Sequence, residues 1–111
     1  MTAALLTRLA AQLRSIEDEL ATSVHRSSPQ VLDSVSTAMV ELLGSLKEIR
    51  DAAVPDGDGH TKQGVILQLE QAAMCGRRAA ADSGVARQQY IANMIAHIHA
   101  AYLLLAVAVA S

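Results

Sequence analysis

The chain has 111 residues, of which 51% are hydrophobic, but it contains no Phe or Trp and only two Tyr. Its length predicts one domain, and a core of Leu, Ile, Val, Met and Ala is typical of helical bundles. The net charge of −2 argues against recruitment by nucleic acid or by an anionic membrane surface. Because Cys75 is the only cysteine, no internal disulfide is possible, and we expect a cytoplasmic location.

The first half of the chain predicts two helices, at about residues 3–24 and 29–53. Their apolar residues recur at alternating intervals of three and four, a spacing that keeps one face of a helix against its neighbours. These residues are Leu6, Leu9, Leu13, Ile16 and Leu20 in the first helix and Leu32, Val35, Met39, Leu42, Leu46, Ile49 and Ala53 in the second. Thr2 and Ser28 are the expected N-caps. The short connection between the helices implies an antiparallel hairpin.

The second half predicts two more helices. Residues 54–60 contain one proline and two glycines, which is typical of a linker. A third helix is predicted at about 61–81, with Thr61 as its cap. Its inward side chains would become smaller along the helix: Ile66, Leu69, Ala73, Gly76 and Ala80. We expect Gly84 to end this helix and the chain to reverse into a fourth helix at about 84–110. The alternative is three helices, with one continuous helix over 61–110.

Together these elements predict an all-α fold, an antiparallel bundle of four helices with coiled-coil-like packing, in one domain over 1–111. The fourth helix would face the bundle with Ile91, Ile95, Ile98, Tyr102, Leu105 and Val109. Leu103, Leu104 and Val107 lie off that face, so the end of this helix is apolar all round and has to be enclosed.

Three arrangements could enclose it. The fourth helix could be the central strut of a monomer, or its excess apolar surface could join copies of the chain or bind a protein partner. It could also enter a bilayer as a tail anchor, although Asn93, His97 and His99 interrupt the roughly 20 apolar residues that a span needs. We expect the second arrangement. The predicted interaction surface consists of Ile98, Tyr102, Leu103, Leu104, Leu105, Val107 and Val109.

Few residues suggest chemistry. His97 and His99 are two apart, so on a helix they point about 200° away from each other and cannot both bind one metal ion. Cys75 lies three residues from Arg78, whose charge could favour a thiolate. We therefore expect a small helical interaction or structural subunit, such as an adaptor, a chaperone-like protein or an assembly component, that is not an enzyme and needs no cofactor. The alternative function is a small metal-binding or enzymatic bundle that uses His97, His99 or Cys75.

Overall fold

A computed structural model of the chain describes residues 2–53 and 59–110. These ranges form four helices: α1 (Ala3–Ser23), α2 (Ser28–Asp51), α3 (Gly59–Ala81) and α4 (Gly84–Ala110). The predicted all-α bundle of four helices is confirmed. A continuous helix over 61–110 is wrong, because α3 ends at Ala81 and α4 begins at Gly84. Of the predicted linker 54–60, Gly59 and His60 belong to α3, and 54–58 lie outside the described residues.

The four helices run antiparallel to their neighbours around the bundle. The hydroxyl of Ser45, late in α2, donates to Gln12 Oε1 in α1 at 3.2 Å. Between α1 and α4, Glu17 meets His99 and the earlier residue Arg14 meets the later residue Tyr102, so these two helices also run in opposite directions. Each helix packs against the next one in the chain, and α4 closes the ring against α1. Consequently α2 and α4 lie diagonally across the bundle and present their outer faces on opposite sides.

Side chains at the helix starts explain where α1 and α2 begin. The Thr2 hydroxyl accepts from the amide of Leu5 at 3.2 Å, which confirms Thr2 as the N-cap of α1. The N-cap of α2 is Ser27 and not Ser28, which is the first helical residue. Gln30 reaches back so that its Oε1 accepts from the Ser27 amide at 3.3 Å. A residue at this position satisfies a backbone donor that the helix itself leaves free.

The start of α3 is tied to the end of α2. The predicted cap Thr61 is wrong, because α3 already begins at Gly59. The residue after Thr61 connects the two helices. Lys62 Nζ donates to the carbonyl oxygens of Arg50 and Ala52, at 2.9 and 2.8 Å. These carbonyls lie at the C-terminal end of α2, where a cation offsets the negative end of the helix dipole.

One hydrophobic core runs along the bundle, and all four helices contribute to it. Each large apolar side chain that is fully buried stabilises the fold by about 1.5–3 kcal/mol. The largest buried side chains are Leu9, Leu13, Ile16 and Leu20 of α1, Val35, Leu42 and Ile49 of α2, Leu69 of α3, and Ile91, Met94, Ile98 and Leu105 of α4. The predicted inner faces of α1 and α2 are largely those observed, although Leu32 and Met39 are only half-buried and Ala53 is exposed beyond the end of α2.

The inner face of α3 differs from the prediction. Leu69, Ala73 and Gly76 are buried as expected, but Ile66 is half-buried and Ala80 is exposed. In their place the structure buries three residues that are each one position earlier than an expected one: Val65, Ala72 and Ala79. The helix is therefore turned slightly about its axis relative to the predicted face. Alanines lie on several sides of α3, so the apolar pattern alone did not fix its orientation.

The reversal between α3 and α4 depends on Gly84, whose φ is +61°. This left-handed conformation costs a residue with a Cβ atom about 1–2 kcal/mol. We therefore expect Gly84→Ala to lower the free energy of unfolding by about that amount, measured by urea denaturation followed by circular dichroism. Gly44→Ala in α2 is the control, because no atom lies within 4 Å of its added Cβ. It should stabilise the chain slightly, and equal behaviour of the two variants would contradict the prediction.

Candidate interaction surface

Helix α4 combines an apolar sequence with a small buried share. No Asp, Glu, Lys or Arg occurs between Gln88 and Ala110. Only five of its 27 residues are buried, whereas α1 buries seven of 21. Among the described helices, α4 is also the one long and apolar enough to cross a membrane, a test that a core helix of a soluble protein passes as well. Its outer side therefore exposes apolar surface.

The largest part of that surface is at the C-terminal half of α4. Leu103, Leu104 and Val107, which we call the α4 outer face, are 48%, 38% and 67% exposed. The side chain of Leu104 lies over Gly64 of α3, where an added Cβ would be 3.1 Å from Leu104 Cδ1. One turn further along α3, Leu67 is 55% exposed. Apolar surface thus extends from α4 onto the adjoining part of α3.

The structure divides the seven residues of the predicted interaction surface into two groups. Ile98 and Leu105 are a correction, because both are fully buried in the core and cannot contact a partner while the bundle is intact. The remaining residues, Tyr102, Leu103, Leu104, Val107 and Val109, are half-buried or exposed. Val109 is turned toward the core side of α4 but is 41% exposed, because it lies in the last helical turn.

A polar cluster borders the α4 outer face on the side of α1. His99 Nδ1 lies 3.0 Å from Glu17 Oε1, and the ring of His99 stacks on Tyr102 with 5.9 Å between ring centroids. The guanidinium of Arg14 lies 5.6 Å from the centroid of the Tyr102 ring, within the range of a cation–π contact. These contacts fix α4 to α1 and leave the tyrosine at the edge of the apolar surface.

His97 has a different environment from His99. Its Nδ1 lies 2.8 Å from Gln68 Oε1 of α3, so it is half-buried and not exposed at the outer face. The two histidines therefore meet different helices on opposite sides of α4, as their spacing predicts. Among the described residues no group of three or more His, Cys, Asp or Glu side chains is placed to hold a metal ion. This arrangement does not bring His97 and His99 together around one ligand.

Cys75 is half-buried on α3. Burial raises the pKa of the Cys75 thiol above its ordinary value of 9.0, and the charge of Arg78 lowers it by a smaller amount. The guanidinium of Arg78 lies over the ring of Tyr90, 5.9 Å from its centroid. At neutral pH the side chain is therefore mainly a thiol, whereas a nucleophile or a metal ligand requires the thiolate.

A second surface feature, which the sequence did not reveal, is a polar groove of about 490 Å³ between α1 and α2. Ser15, Ser34 and Thr37 line it. Its Glu19 carboxylate pairs with Arg26 at 2.9 Å. The sequence signal for this groove was the serine at an inward position of α2, Ser34, because a small side chain there leaves space between α1 and α2.

Comparison with protein-family models, with curated proteins and with solved structures finds no match for this chain.

Proposed function

We propose that this chain is a small helical interaction subunit that associates with a second copy of itself through the α4 outer face. The observation that carries the proposal is the exposure of Leu103, Leu104 and Val107 within a helix whose last 23 residues contain no Asp, Glu, Lys or Arg. A role as a structural or adaptor component of a larger assembly would use this surface.

The distribution of exposed apolar residues supports this choice of surface. In the described part of the chain, nine large apolar side chains are exposed, and four of them lie between residues 103 and 109. Single exposed apolar residues are normal on protein surfaces, as for Val85 between Gly84 and Ala86 at the start of α4. A contiguous apolar patch is instead typical of a protein or membrane contact.

The burial of the core side of α4 favours contact with a protein partner and argues against insertion into a bilayer. Ile91, Ile98 and Leu105 of α4 are fully buried against the other helices. If α4 crossed a membrane, these side chains would leave the core, and each would take with it about 1.5–3 kcal/mol of stabilisation. Docking of a second copy on the outer face leaves the core side of α4 in place.

Light scattering on size-exclusion fractions tests the proposal. We expect the full chain to have a mass at least twice the 11.7 kDa of one copy. The double variant Leu104→Glu and Val107→Glu should have the mass of one copy with unchanged helical circular dichroism, because two charges would have to be buried in the contact. Val40→Glu is the matched control, since Val40 is 73% exposed on the diagonally opposite helix, and it should leave the mass unchanged.

A full chain that stays monomeric at all micromolar concentrations would contradict self-association. Flotation with phosphatidylcholine vesicles then tests whether the α4 outer face binds a lipid surface. A monomer that floats with these vesicles, and whose flotation is lost in the double variant, would assign the α4 outer face to a lipid surface and overturn the proposal.

A further inference from the structure

We infer that the two copies pair antiparallel along α4, about a twofold axis close to Ala100. This inference rests on the proposed self-association and adds the geometry of the contact. The inference is based on the order of small and large residues along the outside of α4, and on the absence of Asp, Glu, Lys and Arg from residues 88–110.

The outside of α4 has a small half and a bulky half. Toward the N-terminus, Ala92 and Ala96 are exposed and Ala100 is half-buried. Toward the C-terminus, Leu103 and Val107 are exposed. The intervals between these five residues are four, four, three and four, so all of them lie on one stripe of the helix. A partner helix that lies along the stripe would meet both halves.

Antiparallel pairing brings the two halves into register. If Ala100 meets Ala100 of the second copy, position 96 faces position 104, and position 93 faces position 107. Leu104 then lies opposite Ala96 of the other copy and Leu103 lies one residue away, whereas Val107 lies opposite Asn93, next to Ala92. In a twofold contact both copies make the same set of interactions, so the bulky half of each stripe meets the half of the other copy that carries Ala92, Asn93 and Ala96.

Parallel pairing would fit the same residues poorly. Leu103 would face Leu103 and Val107 would face Val107, while the alanines would face alanines. Large pairs at one end would hold the helices apart and leave the alanine end without close packing. Alternation of large and small residues across facing positions is what allows helices to interdigitate. The stripe therefore favours the antiparallel direction.

Electrostatics favour the same direction. Because residues 88–110 contain no Asp, Glu, Lys or Arg, two identical stripes can meet without like-charge repulsion. Antiparallel helices also place the positive N-terminal end of each dipole near the negative C-terminal end of the other. Two charged residues of α1, Glu17 and Arg14, contact His99 and Tyr102 of α4.

Cysteine cross-linking tests the direction of pairing in the full chain. The background is Cys75→Ser, so that each variant carries one thiol. A disulfide needs Cα atoms within about 7 Å. Under antiparallel pairing, Ala100→Cys should form a disulfide-linked dimer in air or with copper phenanthroline. The two Ala92 positions would be about 24 Å apart and the two Val107 positions about 21 Å apart, so Ala92→Cys and Val107→Cys should each fail alone and cross-link when mixed.

The outcomes separate this inference from the proposed function. Cross-linking of Ala92→Cys with itself would show parallel pairing and overturn the inference while self-association stands. A chain with the mass of a dimer and no cross-link at any of the three positions would place the contact elsewhere and also overturn the inference. If the Cys75→Ser background protein is a monomer, both the antiparallel pairing and the proposed self-association are contradicted. Val40→Cys controls for random collision and should remain unlinked.

Discussion

Replacing Ile98 by alanine is expected to lower the free energy of unfolding by about 2–5 kcal/mol, the range for truncating a large buried aliphatic side chain. Ile98 is fully buried, and it lies between Met94 and Ala101 on the core side of α4. Removing its side chain leaves a cavity that the surrounding Leu and Ile side chains fill only in part. Since small domains are stable by only about 5–15 kcal/mol, this is a large share. Urea unfolding followed by circular dichroism measures it.

The mass of the Ile98→Ala protein separates a core role from an interface role. We expect the folded variant to keep the mass of the unaltered chain, because Ile98 points away from the α4 outer face. Val40→Ala is the control for stability and should change the free energy of unfolding by no more than about 0.5 kcal/mol. A variant of unchanged stability that had become monomeric would instead place Ile98 in the contact between copies.

The α1 pattern shows what a sequence can predict well. Large apolar residues at Leu6, Leu9, Leu13, Ile16 and Leu20 alternate with polar or small residues on the other sides of the helix. Only one orientation buries all five, and the structure buries all five. The position of the helix in the bundle follows from this contrast between faces.

The same contrast is missing from α4, and this explains the error in the predicted interaction surface. Leu103, Leu104 and Leu105 are consecutive and spread over about 200° of the helix, so no orientation of the helix buries all three. The structure buries Leu105 because it shares a face with Ile98 and Ile91, which precede it at successive intervals of seven residues. Sequence could indicate that α4 had excess apolar surface, but tertiary packing decides which residues form it.

Polar contacts between helices could not be predicted either. His99 with Glu17 and His97 with Gln68 join residues that are 82 and 29 positions apart. Their meeting depends on the register of α4 against α1 and α3, which no local pattern contains. The orientation of α4 that buries Ile91, Ile98 and Leu105 also places these polar pairs in contact.

Gly76→Leu in α3 is expected to lower the free energy of unfolding by up to about 2 kcal/mol, because extra volume in a packed core forces neighbours out of their positions at a cost of about 1–3 kcal/mol. Gly76 is buried where α3 lies between α2 and α4. A Cβ added there would overlap Met39 Sδ and come within 3.2 Å of Met94 Cε. The better helix propensity of leucine offsets roughly 1 kcal/mol of the loss. Gly44→Leu is the matched control, because Gly44 has no atom within 4 Å of an added Cβ, and it should not destabilise the chain.

Coupling to Met39 identifies the cause of the Gly76→Leu effect. Met39→Ala removes the side chain that a Cβ at Gly76 would overlap, so it opens space on the α2 side of α3. The double variant Gly76→Leu and Met39→Ala should then be more stable than the sum of the two single losses predicts, by about 0.5–3 kcal/mol for residues in contact. Additive losses in urea unfolding would show that Gly76 is needed for a reason other than its close approach to Met39. A positive coupling would establish that leucine at position 76 is costly because it overlaps Met39 across the contact between α2 and α3.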